Sequence, residues 1–285
     1  MNSSAAKPQE PAIGVFDSGF GGLTVLRALI ARLPRSRFAF IGDTARLPYG
    51  SKSRRTIARY AVESARFLVE EQGAGFLVIA CNTASALALD AIQDAVPVPV
   101  LGVIEPGATA ARRASRTRDV LVIATDATVQ SHAYAAACSN QGMRALEKAC
   151  PLLVPLVEEG WTEHPVTAEV MRIYLDELKA EGAACGFNPD ALVLGCTHYP
   201  LLRPLIERAV PEGMQVIDSA ESAADAAAQL IHADKSSTAS DAADEREAGP
   251  EIRCFATDSV EKFERLGSRF LGRPVGRVEL VDLGG

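Results

Sequence analysis

Two cysteines stand in the same short phrase. LVIACNTASAL over residues 77–87 and LVLGCTHYPLL over residues 192–202 superpose Cys81 on Cys196, 115 positions further along. In each copy an apolar run that reads as a buried strand ends at the thiol, and the following residues open a new segment. A thiol at the start of a helix meets unpaired N–H groups and the positive end of the helix dipole. Both favour thiolate and pull the pKa below its ordinary value of about 8.5. A lone cysteine is ordinarily a small packing residue. The duplicated context sets these two apart from Cys138, Cys150, Cys185 and Cys254, which read as packing or surface thiols. Two thiols delivered at equivalent places suit chemistry that needs two equivalent groups.

Other residues with chemical potential also follow strands. In IGVFDSGFGGL (13–23), Asp17 and Ser18 lead into Gly19, Gly21 and Gly22 ahead of an amphipathic stretch. Glycines let a ligand approach the backbone, and the helix start offers N–H donors to an anion. The spacing is neither the dinucleotide fingerprint nor a phosphate-binding P-loop. Asp17 reads equally as a helix cap, as a seat for an ammonium group, or as a group orienting a base. In GDTARLPYGS (42–51), Pro48, Tyr49 and Gly50 form a turn able to present N–H groups to a carboxylate, or simply a turn. His198, two residues after Cys196, is the one histidine beside a candidate thiol, as general acid or base or as an imidazolium supporting a thiolate. Glu158, in VEEG after the strand-like run LLVPL, could project into a cleft, although spacing alone reads it as a solvated acid.

The elements that must carry these residues alternate regularly. Strands are expected at 13–16, 38–41, 76–80, 98–104, 120–124, 192–195, 215–217 and 252–256. Helices are expected at 22–33, 54–71, 85–96, 128–138, 167–181, 202–210 and 222–232. Continuous apolar strands separated by helices predict an α/β protein of mainly parallel sheets flanked by helices. Ligands in such folds bind at the carboxyl ends of strands. The 115-residue echo predicts two similar lobes, one formed by 12–101 with 212–285 and the other by 102–211. Residues 1–11 read as a disordered tail and 233–250 as a mobile loop, since both are too polar to offset the entropy of ordering.

The chain has 285 residues, 48% of them apolar, and a formal charge of −7, which argues against nucleic acid or an anionic membrane as the main partner. No apolar run reaches the roughly 20 residues of a membrane span, and the polar start lacks a secretory signal. Six irregularly spaced cysteines fit reduced thiols, so the cytoplasm is the expected compartment.

Taken together, FDSGFGGLTV (16–25), GDTARLPYG (42–50), ACNTAS (80–85), ATDATVQSHAY (124–134), PLVEEG (155–160) and GCTHYPLL (195–202) resemble the glutamate racemases of the cofactor-independent aspartate/glutamate racemase superfamily. The phrases keep the family's order and span most of the chain. The resemblance implies two pseudo-symmetric lobes with the active site in the cleft between them, and interconversion of L- and D-glutamate that supplies D-glutamate for peptidoglycan. It implies Cys81 and Cys196 as acid/base residues on opposite faces of Cα. Asp17 would assist Cys81, His198 would assist Cys196, and Glu158 would support the second side. Asp17, Ser18, Pro48, Tyr49, Gly50, Asn82, Thr83, Thr125, Thr197 and His198 would meet the substrate. No cofactor is implied; Lys52 is the only lysine near a candidate loop. The family commonly forms homodimers. One departure is Asp126-Ala127, where the family often carries glycine, which bears on the loop geometry there.

Three rival readings compete. The same two thiols could racemise another amino acid, such as aspartate. His198 could activate Cys196 as a nucleophile for acyl transfer, a scheme that leaves Cys81 idle. Cys81, Cys196 and His198 could hold a metal, but no C-x-x-C or histidine pair completes a ligand set, so no metal site is expected.

Overall fold

The computed structural model describes residues 11–237 and 249–284. Along the chain the strands are β1 (Ala12–Asp17), β2 (Arg37–Gly42), β3 (Ala74–Ile79), β4 (Val100–Gly102), β5 (Asp119–Ala124), β6 (Arg144–Ala149), β7 (Ala191–Gly195), β8 (Gln215–Asp218), β9 (Glu251–Ala256) and β10 (Val278–Leu280). They form two parallel sheets, one in the order β10-β9-β2-β1-β3-β4 and the other β6-β5-β7-β8. Between them run the helices α1 (Leu23–Arg32), α2 (Arg54–Arg66), α3 (Asn82–Leu87), α4 (Leu89–Ala95), α5 (Ile104–Ala114) and α6 (Asp126–Gln130). The later helices are α7 (Ala133–Asn140), α8 (Leu153–Glu158), α9 (Pro165–Ala184), α10 (Arg203–Ala209), α11 (Ser219–Ser237) and α12 (Val260–Leu271). The two-sheet α/β architecture read from the alternating pattern is therefore the one observed.

Parallel strands need crossover helices, and those helices cover both faces of each sheet, so the central strands must be apolar on both sides. Val15, Phe16, Val78, Ile79, Val122, Ile123, Val193 and Leu194 are all fully buried. The pairing brings Phe16 beside Ile79, Asp17 beside Gly42, and Ala124 beside Gly195, so the strand-end phrases emerge together at the carboxyl edges of their sheets.

Several expectations are corrected. Residues 215–217 were expected to return to the first sheet, but β8 pairs with β7, because only five residues link the end of α10 at Ala209 to Gln215 and the second sheet had an open edge there. The strand expected over 98–104 shortens to β4, since Ile104 already begins α5, whose Pro106 sits in the first turn where its missing N–H costs nothing. The helix expected over 128–138 breaks at His132, which has a left-handed backbone (φ 54°). LLVPL is helical rather than strand-like, so Glu158 closes a helix, α8. Of the segment expected to be a loop over 233–250, residues 233–237 continue α11, and 238–248 lie outside the described residues, as do residues 1–10 of the tail expected over 1–11. Strands β6 and β10 and helices α5 and α12 were not anticipated. The edge strand β6 (RALEKA) is too polar to carry the apolar signature of a buried strand.

Helices α11 and α12 tie the lobes together. Helix α11 packs against both α1 and α5. Helix α12 lays Phe263, Leu266 and Phe270 into the core beside Leu23 of α1, and its Gly267 packs closely on Leu23. Among the described residues no helix is long and apolar enough to cross a membrane.

Candidate active site

Cys81 follows β3 and caps α3. Its Sγ accepts the Ala84 N–H at 3.4 Å and lies 3.4 Å from Ser18 Oγ. Asp17 ends β1 two residues before Gly19, whose N–H it accepts through Oδ2 at 2.9 Å, while Oδ1 is buried without a hydrogen-bond partner. Gly22 allows this approach, since a Cβ there would lie 2.6 Å from Asp17 Cβ and 2.8 Å from Ala80 Cβ. The helix start was expected to lower the Cys81 pKa. Instead, burial first and the Asp17 charge second push the thiol up to about 12, outweighing the Ser18 and Ala84 hydrogen bonds. Asp17 itself is raised by burial, against the pull of the Gly19 N–H and His198.

The second thiol is set differently. Cys196 follows β7 and lies 3.9 Å from His198 Nδ1, while His198 Nε2 lies 3.3 Å from Glu158 Oε1 at the end of α8. Burial works to lower the imidazole pKa, but the hydrogen bonds to Cys196 and Glu158 overcome it and hold His198 at about 10. Burial likewise tends to raise Glu158, yet the hydrogen bond and charge of His198, with Lys262 beyond, keep that carboxyl below its ordinary value. The ring of His198 is wedged edge-on against Phe270 of α12, with centroids 5.0 Å apart. Cys196 therefore belongs to a Cys–His–Glu line, and Cys81 to a pocket of hydroxyl and carboxyl groups. Both thiols are buried, at 6% and 5% exposure.

The remaining expected residues converge on these two. Thr83, Thr125 and Thr128 form a triangle of hydroxyls at 2.9–3.3 Å that joins α3 of the first lobe to α6 of the second. Asn82 accepts the phenol of Tyr134 through Oδ1 at 2.6 Å, and its Nδ2 is buried with no partner. Thr197 accepts through its carbonyl from Thr24 Oγ1 at 3.2 Å, another lobe-to-lobe contact. Gly50 sits close to Thr125, with room for a Cβ 3.8 Å from the Thr125 side chain. Asp126 and Ala127, the departure noted in the sequence, simply open α6, and Asp126 accepts Gln130 Nε2 at 2.7 Å.

The Pro48-Tyr49-Gly50 turn is presented by its backbone, because the Tyr49 ring points inward. Its phenol donates to Asp43 Oδ2 at 2.5 Å, and Asp43 also receives Arg46 Nε and the Thr257 hydroxyl. Lys52 Nζ donates to the carbonyls of Leu47 and Pro48. Sequence reasoning passed over Asp43 and Tyr134 although both lie within the matched phrases. Their signal was position: Asp43 follows a strand end by one residue, as Asp17 ends its own.

Elsewhere, a groove of about 470 Å³ between α5 and α11 is lined by Glu105, Asp218, Glu221 and Asp225 with Arg113, and contains none of these residues. His132 pairs with Glu147 at 3.1 Å, and His164 stacks on Trp161, both apart from the thiols. Among the described residues no group of His, Cys, Asp and Glu is arranged to hold a metal ion. Two buried thiols at matching strand ends, an imidazolium beside one of them, and unpartnered donors and acceptors suit proton transfer at a carbon next to a carboxylate.

Comparison with known proteins agrees with that chemistry. The family model described as Asp/Glu/Hydantoin racemase matches residues 13–227. A glutamate racemase of Koribacter versatilis is 53% identical over 292 aligned positions, covering 97% of this chain and 99% of that one. A crystal structure of a glutamate racemase isoform from Bacillus anthracis superposes with a TM-score of 0.86 at 36% identity, covering 96% and 98% of the two chains. That of Francisella tularensis glutamate racemase in complex with D-glutamate gives 0.84 at 35% identity, with the same coverage.

Proposed function

The chain belongs to the Asp/Glu/hydantoin racemase family, and from that premise we propose that it interconverts L- and D-glutamate by proton transfer between Cys81 and Cys196. The observation that carries this reading is the placement of one buried thiol after β3 and the other after β7, with Gly21 of the first lobe packed closely on Thr197 and His198 beside the second thiol.

In the proposed reaction one sulfur, as thiolate, removes the Cα proton: the C–H bond breaks, an S–H bond forms, and the electron pair stays on Cα. The other thiol then delivers its proton to the opposite face, which inverts the centre and leaves the two sulfurs with exchanged protonation states. Cys81, held protonated, starts as the acid. Cys196, beside the protonated His198, then takes the complementary role of starting base. Reversal exchanges the roles.

The proton at Cα is weakly acidic, so charge building on the α-carboxylate must be met by preorganised donors in a site closed to water. The orphaned Nδ2 of Asn82, the helix start of α3 and the Pro48-Tyr49-Gly50 turn supply donors, with Ser18, Thr83, Thr125 and Thr197 nearby. The orphaned Oδ1 of Asp17 suits the ammonium group and places that acid next to Cys81. Since both thiols are buried, entry requires the lobes to part and re-close. The lobes we assign are 12–102 with 249–284, and 103–218, with α11 spanning them.

D-glutamate made this way would serve peptidoglycan synthesis in the cytoplasm, and a homodimer is the assembly we propose. The test is circular dichroism on L- and D-glutamate without added cofactor, for the wild type and each Cys→Ser variant. Racemisation of aspartate but not glutamate would replace the substrate; no solvent deuterium at Cα would replace the reaction.

A further inference from the structure

Tyr134, to which the racemase reading gives no role, connects the two thiol sites. Its ring lies in the core of the second lobe, fully buried, in a slot left by two glycines. A Cβ on Gly195, the residue before Cys196, would lie 2.9 Å from Tyr134 Cε2, and one on Gly107 of α5 would lie 3.4 Å from Cε1. From that slot the phenol reaches into the other lobe and donates to Asn82 Oδ1 at 2.6 Å, and Asn82 is the residue after Cys81. One side chain thus touches the residue flanking each thiol.

A carboxamide has an acceptor end and a donor end, related by rotation about a soft torsion. The phenol, which the Ser219 hydroxyl also faces, gives its one proton to Oδ1, and that bond goes with the orientation in which Nδ2 points away from the ring. In this structure that Nδ2 is buried with no hydrogen-bond partner, whereas the great majority of buried donors are paired. An unpaired buried amide costs about 1–3 kcal/mol. It is retained where a ligand group completes it.

We propose that Tyr134 is a positioning residue for the racemase reaction: by holding Asn82 Oδ1 across the lobe junction, it keeps the Asn82 amide N–H aimed at the substrate carboxylate. This rests on the racemase reading of the site. Burial raises the phenol far above its ordinary pKa, so it stays a donor throughout the working pH range. The bond also forms only when the lobes are together, so it couples the donor's orientation to closure.

The experiment is a double-mutant cycle on glutamate racemisation, with Tyr134→Phe, Asn82→Ala and the pair. Loss of the phenol frees the amide to present its oxygen to a carboxylate. The amide N–H meets the carboxylate in bound substrate and meets it more strongly as charge builds there, so in Tyr134→Phe KM should rise and kcat fall, with kcat/KM dropping by about tenfold or more. In the Asn82→Ala background the same substitution should leave kcat/KM unchanged, because the group it orients is gone. Equal and additive effects in both backgrounds would reduce Tyr134 to core packing and overturn the proposal. Should Tyr134→Phe not fold, Asn82→Asp serves instead. With Tyr134 holding one oxygen, the other faces the substrate carboxylate and raises KM by roughly a hundredfold; an unchanged KM overturns the proposal. If the wild type racemises nothing, the underlying reading fails rather than the role of Tyr134.

Discussion

His198 Nδ1 lies 3.9 Å from Cys196 Sγ, and no imidazole occupies the matching place beside Cys81, where the neighbour is the Ser18 hydroxyl at 3.4 Å. The two thiols are equivalent in fold and unequal in electrostatics: one is backed by a positive charge, the other by a neutral hydroxyl and a buried acid.

That inequality fixes the alkaline behaviour. Imidazolium support for Cys196 is present below about pH 10 and lost above it. Activity should therefore fall on a basic limb near pH 10, and Glu158→Gln, which keeps an acceptor but removes the carboxylate charge that helps raise His198, should move that limb down by roughly one unit. Stability follows the same sign. A base raised from 6.5 to about 10 on folding adds stability in full below 6.5 and loses it as pH rises through 10. Cys81 works in the same direction, since its unfolded thiol ionises near 9 and its folded one near 12. The melting temperature should decline from pH 7 to 10, and less steeply in Glu158→Gln. A basic limb unmoved by that substitution would remove Glu158 from the line.

Each Cys→Ser variant should lose racemisation in both directions by about 10³-fold, since a serine hydroxyl is too weak an acid to share the exchange. Circular dichroism on each enantiomer reads this directly. Should Cys81→Ser racemise at near wild-type rate while Cys196→Ser does not, the chemistry would rest on Cys196 alone, as in nucleophilic catalysis. Prior dialysis against a chelator should leave the wild-type rate unchanged.

Asp43 is fully buried and receives the Tyr49 phenol, Arg46 and Thr257. Asp43→Ala takes the buried carboxylate from Arg46, whose side chain is only 10% exposed and is left with Glu63 as its ion-pair partner, and from the Tyr49 and Thr257 hydroxyls, at a cost of about 3 kcal/mol. For a chain of this size that lowers the melting temperature by roughly 10 °C. Tyr49→Phe removes one hydrogen bond and should cost only about 1 kcal/mol. Thermal melts of the two variants check the ranking; equal losses would mean that the turn, rather than the buried charge, bears the cost.

The fold was legible where one signal dominated. Strands β1, β3, β5 and β7 are continuous apolar runs, because both of their faces are covered, and the thiols were readable because each follows such a run. Strand β6 was invisible because its six residues, RALEKA, lie at an edge with mixed exposure. The sheet joined by β8 could not be read from its own residues, since membership is decided by which edge is free. Spacing alone read Glu158 as a solvated acid, because it sees only a polar residue after an apolar run; the resemblance put it on the second side, and its contact there is with His198, forty residues away. The direction of the Cys81 shift was missed for a similar reason: helix-start geometry is local, but burial and the Asp17 charge come from the assembled lobes.

Gly21 marks a tight approach between the lobes. A Cβ there would meet the Thr197 hydroxyl and come within 2.7 Å of His198 Cε1 and Nδ1. The imidazole cannot yield easily, because Phe270 blocks one side and Glu158 holds the far nitrogen. Gly21→Ala must therefore push the second lobe away or rotate His198 off Cys196. A displacement approaching 1 Å in a site that depends on alignment costs about 10²-fold, so kcat should fall by that order. Gly182→Ala in α9 is the control: its Cβ meets nothing nearer than 3.6 Å, and alanine in a helix interior gains roughly 0.5–1 kcal/mol over glycine. That variant should keep full activity and melt slightly higher. If Gly21→Ala retained wild-type kcat, the junction would be loose, and the closeness of the lobes would not set the geometry of the second thiol.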